Sequence, residues 1–147
     1  MRALVVYDST WKNTEQIARA IAVGIGSGTQ ACRAGTPEAS SLDKVDLLVL
    51  GSPVQGGRPS PRMQTYVDGI EPTVARGLAV ATFDTRMTMF VARLFGYAAV
   101  RLADAMKMKG STLKAEPEGF VVKGRSGPLE AGELERATQW GARLASA

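Results

Sequence analysis

The chain has no histidine and only one cysteine, Cys32, among its 147 residues. Without histidine there is no Ser–His or Cys–His catalysis and no histidine-ligated zinc. A lone cysteine excludes an intramolecular disulfide, a CxxC redox pair and a cysteine-held iron–sulfur cluster. If the protein carries out redox or transfer chemistry, a bound cofactor must therefore supply most of it.

Long apolar runs are also missing. No stretch approaches the ~20 apolar residues that a membrane-spanning helix requires, and the N-terminus enters a strand-like run without the shape of a signal peptide. We therefore expect a cytoplasmic protein with no membrane span. Hydrophobic residues make up 45% and charged residues 22%, which is typical of a globular chain, and the length predicts one domain over residues 1–147.

Charge gives little sign of a nucleic-acid partner. The net charge is +4, but no run of five or six like charges occurs. Such a pattern predicts solvated lysines and arginines rather than a basic binding arm. We expect no nucleic-acid partner, and the sequence leaves the oligomeric state open.

Apolar runs too short for helices predict the strands of a sheet. Three of them are rich in Val and Leu, as expected for parallel strands covered on both faces. A fourth is more polar and predicts an edge strand, and a fifth is broken by Glu116-Pro117-Glu118, which predicts an edge strand with a kink. In chain order, the runs are Ala3–Tyr7, Thr29–Ala34, Val45–Leu50, Leu78–Phe83 and Ser111–Val122.

Helical patterns fill the intervals between these runs. They begin after Asn13, at Pro37, at Pro61 and near Val91, and a last one covers Glu130–Leu144. Alternating strands and helices predict an α/β fold with three layers around a doubly wound parallel sheet. Ligands of such sheets bind beyond the carboxyl ends of the strands, so the candidate loops are those after the first, third and fourth runs.

The first of these loops is rich in hydroxyl and amide groups and ends at a predicted helix N-terminus. Backbone N–H groups lack intrahelical partners there, and the helix dipole adds roughly half a positive charge. With the hydroxyls of Ser9, Thr10 and Thr14, they are suited to hold a phosphate. The alternative is a polar turn in which Asn13 or Thr14 caps the helix. No GxxxxGK[ST] motif is present, which argues against a P-loop nucleotidase.

Two segments resemble the flavodoxin family. Ser9-Thr10-Trp11-Lys12-Asn13-Thr14 is similar to its phosphate loop, S/T-x-T-G-x-T, and Asp46–Pro53 is similar to its third strand and first flavin-bordering loop. Gly127-Pro128-Leu129 and the last helix also resemble the family's C-terminus. The likeness covers nearly the whole chain. It implies a five-stranded parallel sheet in the order 2-1-3-4-5, with FMN as the cofactor.

The resemblance further implies that three loops hold the FMN. The first would bind the phosphate, and the second and third would border the isoalloxazine ring. No catalytic residue and no metal ligand is implied. The implied cofactor-binding residues are Ser9, Thr10, Trp11, Lys12, Asn13, Thr14, Ser52, Pro53, Val54, Gln55, Gly56, Gly57, Phe83, Asp84, Thr85, Arg86 and Met87.

The chain departs from the family in its aromatic residues and its loop glycine. Trp11 replaces a small residue, as in the flavodoxin-type domains of flavodiiron proteins, and Lys12 replaces the usual glycine. Lys12 either pairs with the phosphate or points to solvent. Neither ring-bordering loop has the usual aromatic, and we hypothesise that Trp11 packs on the ring instead. Either Gly56 or Gly57 could turn its carbonyl towards the flavin N5.

The basic charge is a second departure, since flavodoxins are typically acidic. Arg58, Arg62 and Arg86 fall in or beside the predicted flavin loops. The resemblance then implies a redox partner protein with an acidic face, and a reduced anionic flavin stabilised by the arginines. Electron transfer is the expected function. One alternative is a small FMN-dependent oxidoreductase acting on a quinone or protoporphyrinogen, for which Asp84 is the acid–base candidate, and another is a flavin-free binding domain.

Overall fold

The computed structural model of the chain describes residues 1–26, 28–87 and 97–146. Its strands are β1 (Ala3–Tyr7), β2 (Gln30–Arg33), β3 (Leu47–Pro53), β4 (Ala79–Arg86), β5 (Thr112–Leu113) and β6 (Glu118–Val121). Its helices are α1 (Asn13–Ile25), α2 (Pro37–Ser40), α3 (Pro61–Asp68), α4 (Pro72–Ala75), α5 (Ala98–Met108) and α6 (Glu133–Ser146). Within these ranges, no helix is both long enough and apolar enough to cross a membrane.

All strand pairs are parallel, and the sheet has the order β2-β1-β3-β4-β5. The predicted order 2-1-3-4-5 is confirmed. The predicted fifth strand is split: β5 pairs with the beginning of β4, and β6 pairs with its end. Pro117 lies between the two halves and has no N–H to give to a ladder, so the chain leaves the sheet there.

Side chains of the strands alternate between two cores, one on each face of the sheet. In β1, Val5 and Tyr7 pack on the side of α1 and α6. Leu4 and Val6 pack on the side of α3 and α5. Because both faces are covered, the strands carry apolar residues on both, which is why they appear as uninterrupted Val- and Leu-rich runs.

Strands β3 and β4 extend beyond their predicted ends. Strand β3 continues to Pro53 rather than ending at Leu50, and β4 continues to Arg86 rather than ending at Phe83. The prediction that Asp84, Thr85 and Arg86 belong to a loop was therefore wrong. Asp84 and Thr85 are polar because they bond to distant segments of the chain, and Arg86 pairs with Asp84 on the same strand.

Helix α5 covers the second half of the apolar pattern predicted after β4. It begins at Ala98, and Val91, Leu94 and Phe95, which belong to the same predicted helix, lie outside the described residues. The predicted closing helix is present as α6, from Glu133 to Ser146.

Helices α1 and α6 cross with their backbones in contact. A β-carbon on Gly24 would overlap the carbonyl oxygen of Thr138, and one on Gly141 would overlap the carbonyl oxygen of Ile21. Only glycine fits at these two positions, so the crossing point of the two helices is fixed by sequence. Helix α1 carries the polar loop of the first strand at its N-terminus, and this crossing holds the far end of that helix.

Candidate functional site

The three candidate segments meet at one edge of the sheet, because β1, β3 and β4 are neighbours with their carboxyl ends side by side. The N–H of Asp8 donates to the carbonyl of Gly51 over 3.1 Å, which joins the first segment to the second. The N–H of Val54 donates to the carbonyl of Thr85 over 3.1 Å, which joins the second to the third. Residues predicted from distant parts of the chain thus form one surface.

The first segment, residues 8–12, leaves a run of backbone donors without partners. Lys12 adopts a left-handed conformation with φ 68°, directly before α1. Among the described residues, no acceptor pairs with the amide N–H of any residue from Ser9 to Thr14. The next amide, that of Glu15, donates to Ser9 Oγ over 3.4 Å. A left-handed residue before a helix turns successive N–H groups to one side, which makes an anion-binding concavity.

Side chains of this loop divide into exposed and buried groups. Thr10, Trp11 and Lys12 are exposed, and 54% of the Trp11 surface is open to solvent. Asn13 is buried beside Gly127, whose missing β-carbon makes room for the amide of Asn13. Thr14 is only 1% exposed. Lys12 is the N-cap residue of α1, so the alternative in which Asn13 or Thr14 caps the helix is not observed.

A network that the sequence did not reveal lies under this loop. Arg33, at the end of β2, donates from Nη1 to the carbonyl of Ser9 over 2.8 Å and lies 3.4 Å from Asp8 Oδ1. The Ser60 hydroxyl donates to Asp8 Oδ2 over 2.6 Å, and Arg62 Nε lies 3.9 Å from Asp8 Oδ1. The signal that could have found Arg33 is the strand order, since Arg33 pairs in register with Tyr7.

The second segment is a tight turn of residues 55–58. The Gln55 N–H donates to the carbonyl of Arg58 over 2.8 Å, and the Arg58 N–H returns to the carbonyl of Gln55 over 3.1 Å. Gly56 and Gly57 have φ of 59° and 79°, the positive values that such a turn requires. Gly57 is buried, and its carbonyl accepts a hydrogen bond from Arg101 Nε over 3.1 Å. Gly56 is exposed.

Ser52, at the end of β3, is fully buried and fastens this turn to α3. Its Oγ accepts the N–H of Ser60 over 2.8 Å and donates to the carbonyl of Pro53 over 2.9 Å. Pro53 and Val54 are half-buried. Ser52 therefore shapes the second segment from below.

The end of β4 contributes charges that are already paired. Asp84 is fully buried, and Arg86 Nε lies 2.6 Å from its Oδ1. Asp84 Oδ2 also accepts the N–H of Ala99 over 2.9 Å, and Arg86 stacks on the ring of Tyr97 at 3.5 Å. Burial raises the pKa of Asp84 despite the hydrogen bond from Arg86.

Phe83 is placed differently from its prediction as a cofactor contact. It has no exposed surface and packs edge-on against Phe120 and Trp140, with ring centroids 6.0 and 6.3 Å away. Strand alternation directs Phe83 to the core on the α1 and α6 side. This placement argues against a contact with a flavin. Met87, the last described residue of the third segment, is half-buried.

The three arginines expected around the site differ in their surroundings. Arg86 is paired with Asp84, and Arg62 lies near Asp8. Arg58 is exposed in the turn of the second segment, and the described residues show no carboxylate within ion-pair distance of it. The expected positive charge at the site therefore comes mainly from Arg58 and Lys12.

A cavity of about 650 Å³ opens at the opposite end of the sheet. Its walls include Leu42, Val45, Tyr66, Ile70 and Leu78, which precede β3 and β4 or end α3. We place the candidate site at the carboxyl edge instead, because the unpaired amides lie there. Over the ranges that the structure describes, no group of three or more His, Cys, Asp or Glu could hold a metal ion.

No family model and no curated protein matches the sequence. Solved structures do match. A flavodoxin from the domain Archaea superposes with a TM-score of 0.80 at 23% identity, covering 99% of this chain and 96% of that one. Oxidised flavodoxin 1 from Bacillus cereus gives 0.77 at 22% identity, covering 98% and 97%.

A larger protein contains a similar unit. Rubredoxin oxygen:oxidoreductase from Desulfovibrio gigas gives a TM-score of 0.76 at 18% identity, covering 98% of this chain and 35% of that one. These likenesses show that the chain has the flavodoxin-like fold, which confirms the resemblance seen in its sequence.

Proposed function

We propose that this protein binds FMN and transfers electrons. The observation that carries the proposal is the run of unpaired amide N–H groups from Ser9 to Thr14, at the N-terminus of α1. Such a concavity fits one terminal phosphate, and FMN has one. The resemblance to flavodoxins supports the same ligand, because this loop is the segment that is similar to the flavodoxin phosphate motif.

The exposed members of the loop fit a phosphate best. The backbone N–H groups of Thr10, Trp11 and Lys12 belong to exposed residues, and the Thr10 hydroxyl adds a further donor. The Lys12 ammonium adds positive charge beside them. Arg33 contributes indirectly, since its bond to the Ser9 carbonyl holds the loop in shape.

The ring of the flavin would then border the second segment. Trp11 offers an exposed aromatic face, and Gly56 offers a carbonyl on an exposed residue, whereas the Gly57 carbonyl is held by Arg101. FMN supplies the redox chemistry when bound. The protein's own residues bind the phosphate, orient the ring and set the charge around it.

Electron transfer to a partner protein is favoured over turnover of a small substrate. Asp84, the acid–base candidate for an oxidoreductase, is fully buried, ion-paired with Arg86 and bonded to the Ala99 amide. It has no surface with which to reach a substrate. The net charge of +4 and the exposed Lys12 and Arg58 suit a partner with an acidic face.

The test is an absorbance spectrum of the purified protein with and without added FMN, followed by anaerobic reductive titration. We expect a flavin spectrum and reduction in two separate one-electron steps. A colourless protein that does not bind added FMN would contradict the proposal and favour a flavin-free binding domain. Turnover of NAD(P)H with a quinone, without a second protein, would favour the small oxidoreductase instead.

A further inference from the structure

Two buried threonines join the first and third segments of the site. Thr14 Oγ1 and Thr85 Oγ1 lie 2.7 Å apart, although the residues are 71 positions apart in the chain. Thr14 is 1% exposed and Thr85 is 6% exposed. A hydrogen bond in such a buried place is not exchanged with water, and losing one partner leaves the other hydroxyl unsatisfied.

Thr14 has almost no surface on which a ligand could lie. Its neighbours Thr10, Trp11 and Lys12 are exposed on the same loop. A threonine hydroxyl donates one hydrogen bond and can accept two, so the Thr14 hydroxyl can keep its bond to Thr85 whether or not it also meets a phosphate. The loop thus has exposed groups that meet the ligand and a buried hydroxyl whose bond to Thr85 holds the loop.

Thr85 fastens two segments of the site at once. Its side chain bonds to Thr14, in the first turn of α1, and its carbonyl accepts the Val54 N–H of the second segment over 3.1 Å. It also pairs in register with Pro53 of β3. The side chain thus sets the position of the unpaired amides, and the main chain sets the position of the turn at residues 55–58.

We propose that Thr14 and Thr85 form a positioning pair that fixes the amide concavity relative to the ring-bordering turn, and that Thr85 acts on the phosphate site through Thr14 without touching the ligand. This inference rests on the proposed binding of FMN. Its consequence is specific: loss of either hydroxyl should disturb the phosphate end of the ligand and leave the ring end in place, because the bond from Val54 goes to the main chain of Thr85.

The experiment compares FMN with riboflavin, which has the ring but no phosphate. Dissociation constants are measured by flavin fluorescence titration for the wild type, Thr14→Val, Thr85→Val and the double variant. We expect each single variant to bind FMN about fivefold to tenfold more weakly, with riboflavin affinity unchanged. The double variant should bind FMN as weakly as either single variant, since the pair acts as a unit.

Stability distinguishes positioning from general damage. Each single variant leaves one buried hydroxyl without a partner and should lower the thermal midpoint, whereas the double variant removes both hydroxyls and should recover part of the loss. FMN affinity should not recover with it. Thr14→Ser and Thr85→Ser keep both hydroxyls and should keep FMN affinity.

Thr82→Val is the matched control. Thr82 is buried on the same strand, but its hydroxyl donates to the Ala99 carbonyl over 2.8 Å on the other face of the sheet. We expect it to lower stability without changing the ratio of FMN to riboflavin affinity.

Two results would overturn the inference while leaving FMN binding intact. One is a double variant that binds FMN much more weakly than either single variant, which would mean that the two hydroxyls act separately. The other is a Thr85→Val variant with the wild-type ratio of FMN to riboflavin affinity. A wild-type protein that binds no FMN would overturn the proposed function and this inference together.

Discussion

The loop after β1 and the end of β4 lie side by side, but their polar groups differ in whether they have hydrogen-bond partners within the protein. From Ser9 to Thr14, the described structure supplies no acceptor for the backbone amides. At Asp84, every strong interaction is made inside the protein, with Arg86 and with the Ala99 amide. Both segments were predicted to contact a cofactor.

The difference between the two segments favours one of them as the ligand-binding element. Backbone donors on exposed residues that have no partner in the protein are free to exchange their water for a bound anion. A buried carboxylate whose two oxygens already accept hydrogen bonds inside the protein has no free acceptor for a ligand. The loop after β1 is therefore the proposed binding element, and Asp84 with Arg86 serves to dock the start of α5 on the sheet.

Replacing Asp84 by Asn should have the largest effect on stability. The change keeps the shape but leaves Arg86 without its partner charge, and breaking a buried ion pair costs about 3 kcal/mol. We expect that loss in the free energy of unfolding measured by urea titration. The ratio of FMN to riboflavin affinity should stay unchanged.

Asp104→Asn, at an exposed position of α5, is the control for Asp84→Asn and should leave stability within about 0.5 kcal/mol of the wild type. If Asp84→Asn were as stable as this control, the ion pair would not anchor α5. A selective loss of FMN affinity would instead place Asp84 in the binding site.

Glu133 extends the comparison to a second paired carboxylate. It accepts from Arg136 Nε over 2.8 Å and from the Val121 N–H over 2.7 Å. Hydrogen bonding from Arg136 lowers the pKa of Glu133 from its ordinary 4.5. The stability this gives is complete above the ordinary pKa and is lost as the pH falls through the lowered one.

Glu133→Gln should therefore lower the free energy of unfolding by about 1.5 kcal/mol at neutral pH, and the gap to the wild type should close on acidification. Urea titrations at several pH values measure it, with Glu135→Gln, on the exposed side of the same helix, as control. For Asp84, stability changes with pH in the opposite direction. Because the pKa of Asp84 is raised, its ionisation lowers the free energy of unfolding as the pH rises from the ordinary 3.8 through the raised pKa. A pH-independent gap would contradict the assignment for Glu133.

Trp11→Ala tests the exposed side of the loop. If Trp11 packs on the flavin ring, its loss should weaken FMN and riboflavin alike by about tenfold, since stacking on an aromatic side chain contributes roughly 1–3 kcal/mol. Stability should hardly change, because 54% of the side chain is already exposed. Trp11→Phe should restore much of the affinity. Unchanged affinity and flavin fluorescence in the alanine variant would refute the packing.

Lys12→Gly is expected to have the smallest effect and to separate strain from charge. Lys12 has φ 68° and Lys44, in the turn before β3, has φ 63°, so both lysines adopt a strained left-handed conformation. Either glycine variant should be about 1 kcal/mol more stable than the wild type in urea titration. Only Lys12→Gly should weaken FMN, a few-fold at low salt and less at high salt. Equal FMN affinity in both variants would show that Lys12 points to solvent.

Much of the fold could be predicted because its signals are local. Strand β1 is found at its predicted bounds, since Ala3–Tyr7 is apolar towards both cores. The ends of β3 and β4 could not be found in this way. Ser52, Asp84 and Thr85 look like loop residues until their partners are known, and those partners come from α3, α5 and α1.

The site was predictable in its backbone and less so in its side chains. The loop from Ser9 to Thr14 could be identified from its position between a strand and a helix. Phe83 was expected at the flavin because of its place in the chain, but strand alternation directs it into the core. Arg33 was missed because its role depends on the register of β2 against β1, which no single segment encodes.

The glycine contacts between α1 and α6 also bear on how a ligand enters. Gly24 and Gly141 prevent α1 from sliding along its neighbour, and the bond from Thr14 to Thr85 holds the other end of the same helix. The concavity at the start of α1 is therefore a template set when the chain folds. Among the described segments of the candidate site, accommodation of the proposed ligand falls to the turn at residues 55–58, whose exposed Gly56 has open space around it.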